Sequence, residues 1–88
     1  MIVKTAESFF KDLSKIKNIE VFDEIENILD LSHECDTTES IPGFKALDQH
    51  AGYGRIKVGN YRIGVKYSQK TIIFYRVMHR SVIYNIFP

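Results

Sequence analysis

The hydrophobic residues of this 88-residue chain change their spacing near its middle. Before residue 35 they recur every three or four positions, as Phe9, Leu13 and Ile16 do, which is the spacing of amphipathic helices. After residue 45 they alternate with polar residues, which is the spacing of half-buried strands. This change of period predicts an α+β fold in which helices pack on one face of a mostly antiparallel sheet.

The predicted elements follow the order β-α-α-β-β-β. A first strand covers residues 2–5, and helices begin at Glu7 and Ile19, the second ending at His33. Residues 35–45 form a loop because they are rich in Asp, Thr, Ser, Pro and Gly. The remaining strands are predicted at 55–58, 61–67 and 71–77, and residues 78–88 form a mixed segment. With no linker or repeat, residues 1–88 are expected to form one domain.

A two-residue turn at Gly59-Asn60 fixes the register of the central hairpin, because Gly at the first position suits a type II′ turn. Ile56 then lies opposite Ile63 on the face that packs against the helices. The opposite face is predicted to carry four cations and a tyrosine, with Gly64 leaving an open floor beside Arg55. These residues are Tyr53, Arg55, Lys57, Arg62 and Lys66.

The charges of the chain are separated between its halves. Residues 1–44 hold ten carboxylates and four lysines, a net charge of −6, whereas residues 45–88 hold eight cations and Asp48, a net charge of +7. Lys57 opposite Arg62 is a like-charge pair, which destabilises a sheet. We therefore interpret the basic face as a binding site for a phosphate chain, and the alternative, a solvated surface with no ligand, stays open.

Three residues after the last strand could take part in such a site. Arg80 could bind phosphate through its planar fork, His79 could titrate near neutral pH, and Tyr84 offers a hydroxyl and a ring. The basic half contains no zinc-ligand spacing and no glycine-rich phosphate loop, so we expect no metal and no cofactor.

Composition predicts the compartment. No apolar run approaches the roughly 20 residues that span a bilayer, and the sequence begins without the layout of a secretory signal. Cys35 is the only cysteine, so no internal disulfide can form. We expect a cytoplasmic protein that does not bind membranes.

Two motifs resemble those of the RelE/ParE toxin superfamily. Residues 52–65, Gly-Tyr-Gly-Arg-Ile-Lys-Val-Gly-Asn-Tyr-Arg-Ile-Gly-Val, are similar to its central strand pair, and residues 77–84, Val-Met-His-Arg-Ser-Val-Ile-Tyr, to its closing element. Residues 42–47 resemble the entry to its sheet. The resemblance implies a toxin of a type II toxin–antitoxin system. RelE-type members are mRNA endoribonucleases that act in the ribosomal A site, whereas ParE-type members inhibit DNA gyrase.

The resemblance also implies partners and roles. The expected partners are mRNA, the ribosome and a cognate antitoxin, with operator DNA bound only through the antitoxin. The expected reaction is a metal-independent attack of the substrate's 2′-OH on the adjacent phosphate. Arg55 stands where well-studied RelE toxins have a lysine base, and arginine stays protonated, so Lys57 or His79 would take the proton. The predicted catalytic residues are Lys57, Arg62, His79, Arg80 and Tyr84, and the predicted RNA-binding residues are Tyr53, Arg55 and Lys66.

Two alternatives to the nuclease remain open. The chain could inhibit DNA gyrase as ParE-type toxins do, or it could be a catalytically degenerate module that binds RNA or antitoxin without cleaving.

Overall fold

A computed structural model describes residues 1–88 and contains a five-stranded sheet with the two N-terminal helices on one face. The strands follow the order β1-β5-β4-β3-β2, in which only β1 and β5 are parallel. This confirms the predicted α+β fold. The elements are β1 (Ile2–Thr5), α1 (Glu7–Leu13), α2 (Ile19–Glu34), a 3-10 turn (Thr38–Ser40), β2 (Phe44–Ala46), β3 (Tyr53–Val58), β4 (Tyr61–Tyr67), β5 (Thr71–His79) and α3 (Arg80–Ile83).

Besides the 3-10 turn, two elements were absent from the predicted order. The segment read as a loop contains the edge strand β2, whose three residues pair with β3 and place Lys45 opposite Arg55. The mixed C-terminal segment contains the single turn of α3, which directly follows β5. Both lie beside the basic hairpin, so they add residues to its surroundings.

The central hairpin has the predicted register. Lys57 lies opposite Arg62, Arg55 opposite Gly64, and Tyr53 opposite Lys66. Gly59 has φ of 57°, and no residue other than glycine has a positive φ, which is the combination that a type II′ turn requires.

The core lies between the helices and the inner face of the sheet. Ile25 and Ile28 of α2 and Phe9 of α1 pack on strand residues that are almost fully buried. Asn18 caps the N-terminus of α2, because its side-chain oxygen accepts a hydrogen bond from the Val21 N–H at 3.2 Å. The strand residues of this core are Ile56, Val58, Ile63, Val65, Ile72, Phe74 and Val77.

A buried ion pair fixes α1 against β5. The Asp12 carboxylate accepts two hydrogen bonds from the Arg76 guanidinium, at 2.7 and 3.0 Å, and a third from the Val77 N–H at 3.1 Å. The hydrogen bond to Asp12 has the largest effect and raises the pKa of Arg76 above its ordinary value; burial lowers this pKa, and the charge of Asp12 raises it. The carboxylate thereby satisfies a buried N–H of β5 that no neighbouring strand reaches.

No helix is long and apolar enough to cross a membrane.

Candidate RNA-binding cleft

Four cations converge on a cleft of about 420 Å³ on the outer face of the sheet. Arg55 and Lys57 come from β3, Arg62 comes from β4, and Lys45 comes from the edge strand β2. Because strand side chains alternate between faces, the same hairpin that buries Ile56 and Ile63 points these cations outward. The full lining consists of Gly43, Lys45, Ala46, Leu47, Asp48, Arg55, Lys57, Arg62 and Tyr84.

The cleft unites four of the eight residues predicted from the sequence, namely Arg55, Lys57, Arg62 and Tyr84. It also contains Lys45 and Asp48, which sequence reasoning missed. The signal for Lys45 was its position next to Phe44, whose ring packs with the core, because alternation then turns Lys45 outward. Asp48 is the only carboxylate in the basic half of the chain and follows β2 in a loop.

The C-terminal segment, residues 84–88, holds Arg55 in place. One guanidinium nitrogen, Nη2, donates to the Phe87 carbonyl at 3.2 Å, and the guanidinium carbon lies 4.4 Å from the centre of the Tyr84 ring. The Nε of Arg55 is buried and has no hydrogen-bond partner. Tyr84 itself is 57% exposed, so its ring forms a wall of the cleft that a ligand can reach.

Arg62 is oriented by the hairpin turn. Its Nη1 donates to the carbonyls of Gly59 at 2.9 Å and Tyr61 at 2.8 Å. These bonds use one end of the guanidinium, and the other nitrogens have no partner in the chain. The turn therefore fixes the position of a guanidinium that can still bind an anion.

Tyr53 and Lys66 lie on the same face but beyond the cleft. The Lys66 ammonium is 5.6 Å from the centre of the Tyr53 ring, and the centres of the Phe87 and Tyr53 rings are 5.7 Å apart. The expected open floor at Gly64 is wrong, because Phe87 covers it. The C-terminal segment thus separates Tyr53 and Lys66 from the cleft.

Arg80 lies just beyond the end of β5, outside the lining of the cleft. Its backbone N–H donates to the Asn60 carbonyl at 2.8 Å, which holds the start of α3 against the hairpin turn. The Arg80 side chain is exposed and makes no hydrogen bond or ion pair within the chain.

His79 faces the helix side of the sheet, so the structure does not bring it together with the predicted catalytic residues. It pairs with Tyr61 across β4 and β5, and Tyr61 pairs with the buried Val58. Its Nδ1 accepts a hydrogen bond from the Ser81 N–H at 3.2 Å and caps α3. His79 lines a separate hollow between α1 and the end of β5, which gives it a structural contact and no access to the cleft.

The side chains of the cleft can bind an anion and can exchange a proton. Arginine and lysine side chains bind phosphate oxygens and stabilise negative charge that builds on them. A lysine can also lose a proton, whereas an arginine cannot. Nowhere in the chain do three or more His, Cys, Asp or Glu side chains come together as a metal site.

The chain is similar over its whole length to a curated toxin. Toxin RelE3 of Methanocaldococcus jannaschii is 38% identical, and the alignment covers 100% of both chains. No protein-family model matches the chain.

Solved structures share the fold. A chain of the RelB-RelE antitoxin–toxin complex from Methanococcus jannaschii superposes with a TM-score of 0.81 and 34% identity, covering 97% of this chain and 99% of that chain. A chain of the archaeal RelE-RelB complex from Pyrococcus horikoshii superposes with a TM-score of 0.70 and 15% identity, covering 92% and 96% of the two chains. The second likeness supports the fold alone.

Proposed function

Because the chain belongs to the RelE family of toxins from toxin–antitoxin systems, we propose that it is an endoribonuclease that cleaves mRNA on the ribosome. The observation that carries this proposal is the group of four cations around one open cleft, with the exposed ring of Tyr84 as its wall. A phosphate chain neutralises such a group, and an aromatic ring can stack on an unpaired base.

The proposed reaction uses the substrate's own 2′-OH. The 2′-oxygen forms a bond to the adjacent phosphorus, the bond from phosphorus to the 5′-oxygen breaks, and the products are a 2′,3′-cyclic phosphate and a 5′-OH. The 2′-OH proton passes to a base on the protein, and the leaving 5′-oxygen takes a proton from an acid or from water. Arg55 and Arg62 stabilise the negative charge that builds on the phosphoryl oxygens.

The proton acceptor is proposed to be a lysine of the cleft. Arginine cannot serve, and His79 lies on the other face of the sheet. Lys57 stands between Arg55 and Arg62, opposite Arg62 in the register, and we assign it the base. Lys45 lies opposite Arg55 on the other side of β3 and is assigned to a phosphate oxygen.

The predicted residues outside the cleft are proposed to bind the flanking RNA. Lys66 and Arg80 are exposed cations at opposite ends of the basic face, so each could contact a phosphate on one side of the scissile bond. These contacts position the strand and do not read its sequence.

The proposed partners follow from the family. The structures named above are complexes of RelE with RelB. We propose that a cognate antitoxin binds this chain, that operator DNA is contacted only through the antitoxin, and that the toxin acts in the cytoplasm, where translating ribosomes are found.

The proposal is tested by mapping mRNA 5′ ends after incubation of translating ribosomes with the purified protein. Wild type should give codon-phased cleavage, Lys57→Met should lower the rate by about 100-fold or more because general base catalysis typically contributes about 10²–10⁴-fold, and Tyr84→Ala should weaken it. Lys17→Met removes an exposed charge from the loop between α1 and α2 and should leave cleavage unchanged.

Two outcomes would contradict the nuclease. Intact mRNA together with a DNA-damage response in cells would indicate gyrase inhibition instead. RNA binding without any cleavage would indicate a degenerate binding module. If Lys57→Met cleaves normally and Lys45→Met does not, the base assignment is reversed while the nuclease stands.

A further inference from the structure

The aromatic ring of Phe87 covers a glycine in the middle of the basic face. A Cβ atom placed on Gly64 would lie 2.6 Å from two ring atoms of Phe87, Cγ and Cδ2, so only glycine permits this contact. Phe87 is 6% exposed but does not belong to the main hydrophobic core, which lies on the other face of the sheet. The ring therefore occupies a separate hollow on the outer surface of the sheet, which we call the Phe87 seat.

The seat has walls that suit a larger ligand than phenylalanine. The Tyr53 ring stands edge to face with Phe87 at 5.7 Å, and the Lys66 ammonium lies 5.6 Å from the centre of the Tyr53 ring. The Arg55 guanidinium borders the seat from the cleft side and donates to the Phe87 carbonyl at 3.2 Å. A flat floor, an aromatic wall and two cations are the elements that bind a nucleobase together with its phosphate.

While Phe87 occupies the seat, the guanidinium of Arg55 has an N–H group without a hydrogen-bond partner. Its Nε is buried without a hydrogen-bond partner, and its Nη2 is bound to a neutral carbonyl. A phosphate could accept from Nε and Nη2 together, because the two N–H groups form one side of a planar fork. A phosphate of an RNA strand would thus satisfy the Arg55 guanidinium better than the Phe87 carbonyl does.

The segment is held in a way that allows it to leave. The Phe87 N–H donates to the Ile83 carbonyl at 2.9 Å, and Ile83 is fully buried. Beyond this anchor, Tyr84 and Ile86 are about half exposed. Departure of Phe87 would therefore break its bonds to Ile83 and Arg55 without opening the main core.

We propose that the hollow formed by Tyr53, Arg55 and Gly64 is a subsite for a nucleobase of the RNA strand beside the scissile phosphate, and that Phe87 occupies this subsite until RNA displaces it. The proposal rests on the proposed function, since RNA is its ligand. Phe87 of the C-terminal segment then competes with RNA for the subsite. The apparent affinity for RNA is then lowered by the fraction of molecules in which the seat is filled.

Binding of an uncleavable probe separates this proposal from catalysis. The probe is a fluorescently labelled single-stranded oligoribonucleotide with 2′-O-methyl groups, which lacks the attacking hydroxyl. Phe87→Ala empties the seat and should bind the probe at least about tenfold more tightly than wild type. Gly64→Ala also displaces the ring, but its methyl group fills the floor, so it should bind no more tightly than wild type. Ile86→Ala changes an exposed neighbour and is the matched control.

A second measurement uses the unaltered protein. In the NMR spectrum of the wild type, contacts between the Phe87 ring and the Gly64 α-protons should be seen without RNA and should disappear when the probe saturates the protein. Persistence of these contacts in the complex would overturn the proposal. So would equal tightening by Phe87→Ala and Gly64→Ala, because the segment would then only obstruct the face, without standing in for a base.

The results also separate this proposal from the nuclease. Tighter binding by Phe87→Ala without mRNA cleavage by the wild type would keep the subsite and refute the nuclease. Normal cleavage by wild type with unchanged binding by Phe87→Ala would refute the subsite alone.

Discussion

The salt dependence of RNA binding gives a quantitative test of the cleft. Four cations line it, Lys45, Arg55, Lys57 and Arg62. Each phosphate that a protein neutralises on a single strand contributes about −0.7 to the slope of log K against log salt concentration, because condensed counterions are released. The cations proposed to contact phosphate are Lys45, Arg55 and Arg62 in the cleft and Lys66 and Arg80 at its flanks, so five contacts should give a wild-type slope of about −3.5.

Neutralising one cation should change that slope by a defined amount. Lys45→Met should make the slope less negative by about 0.7 and weaken binding by a similar factor for every probe sequence, since a phosphate contact carries no sequence information. Lys17→Met removes the same charge from the helix layer and should leave the slope unchanged. The assay is fluorescence anisotropy with the 2′-O-methyl probe, between roughly 50 and 200 mM salt.

The size of the slope decides between the cleft and general attraction. A wild-type slope shallower than about −1.5 would mean that at most two cations contact phosphate, fewer than the three that the cleft alone is proposed to supply. Equal effects of Lys17→Met and Lys45→Met would mean that the RNA responds to overall charge and not to this surface. Either result would refute the reasoning from the lining residues.

The other predictions concern folding. Asp12→Asn should lower the free energy of unfolding by about 3 kcal/mol in urea denaturation, because it weakens a buried ion pair with Arg76 and the bond to the Val77 N–H. Glu7→Gln breaks only an exposed pair on α1 and should cost less than about 0.5 kcal/mol. Equal losses in the two variants would mean that the Asp12–Arg76 pair stabilises the fold no more than an exposed pair does. Because the pKa of Arg76 is raised in the folded state, the ion pair stabilises the fold at all pH values below the ordinary arginine pKa, and this stabilisation is lost only at higher pH. The loss of stability caused by Asp12→Asn should therefore stay constant between about pH 6 and pH 9. A steady decline of that loss over this range would contradict the prediction. Gly59→Ala should cost about 1 kcal/mol from its positive φ alone, since nothing lies within 4 Å of the added methyl group, and a loss above about 3 kcal/mol would show that the turn is packed.

The hairpin was predictable because its signals are local. A two-residue turn with glycine at its first position sets the pairing, and the period of two then decides which side chains share a face. The edge strand β2 was missed because three residues, Phe44–Ala46, are too few to show a period and follow a Pro-Gly pair that reads as a loop. Because that strand was not predicted, Lys45 was not predicted to line the cleft. The position of Phe87 depends on a contact with Gly64, more than twenty positions earlier, which no local pattern contains.

The placement of His79 has a different cause, a shift in register within β5. Ile72 and Phe74 face the core, so regular alternation would bury Arg76 and turn His79 outward, toward the basic face. Between Gly64 and Val65 the pairing with β5 slips by one residue, and Val77 takes the core position instead. One extra residue in a strand moves every later side chain to the opposite face. His79 therefore faces the helices, and nothing in the sequence around residue 75 marks the irregularity.

The separation of charge along the chain becomes a separation across the fold. The acidic residues of α2, among them Glu20, Asp23 and Glu26, are exposed on the helix layer. On the opposite surface of the sheet, the lysines of β3 and β4 are exposed and the arginines are half-buried. A polyanion is therefore repelled from one side of the molecule and attracted to the other. Because the attractive side holds both the cleft and the Phe87 seat, long-range steering delivers RNA to the surface where it is proposed to displace Phe87.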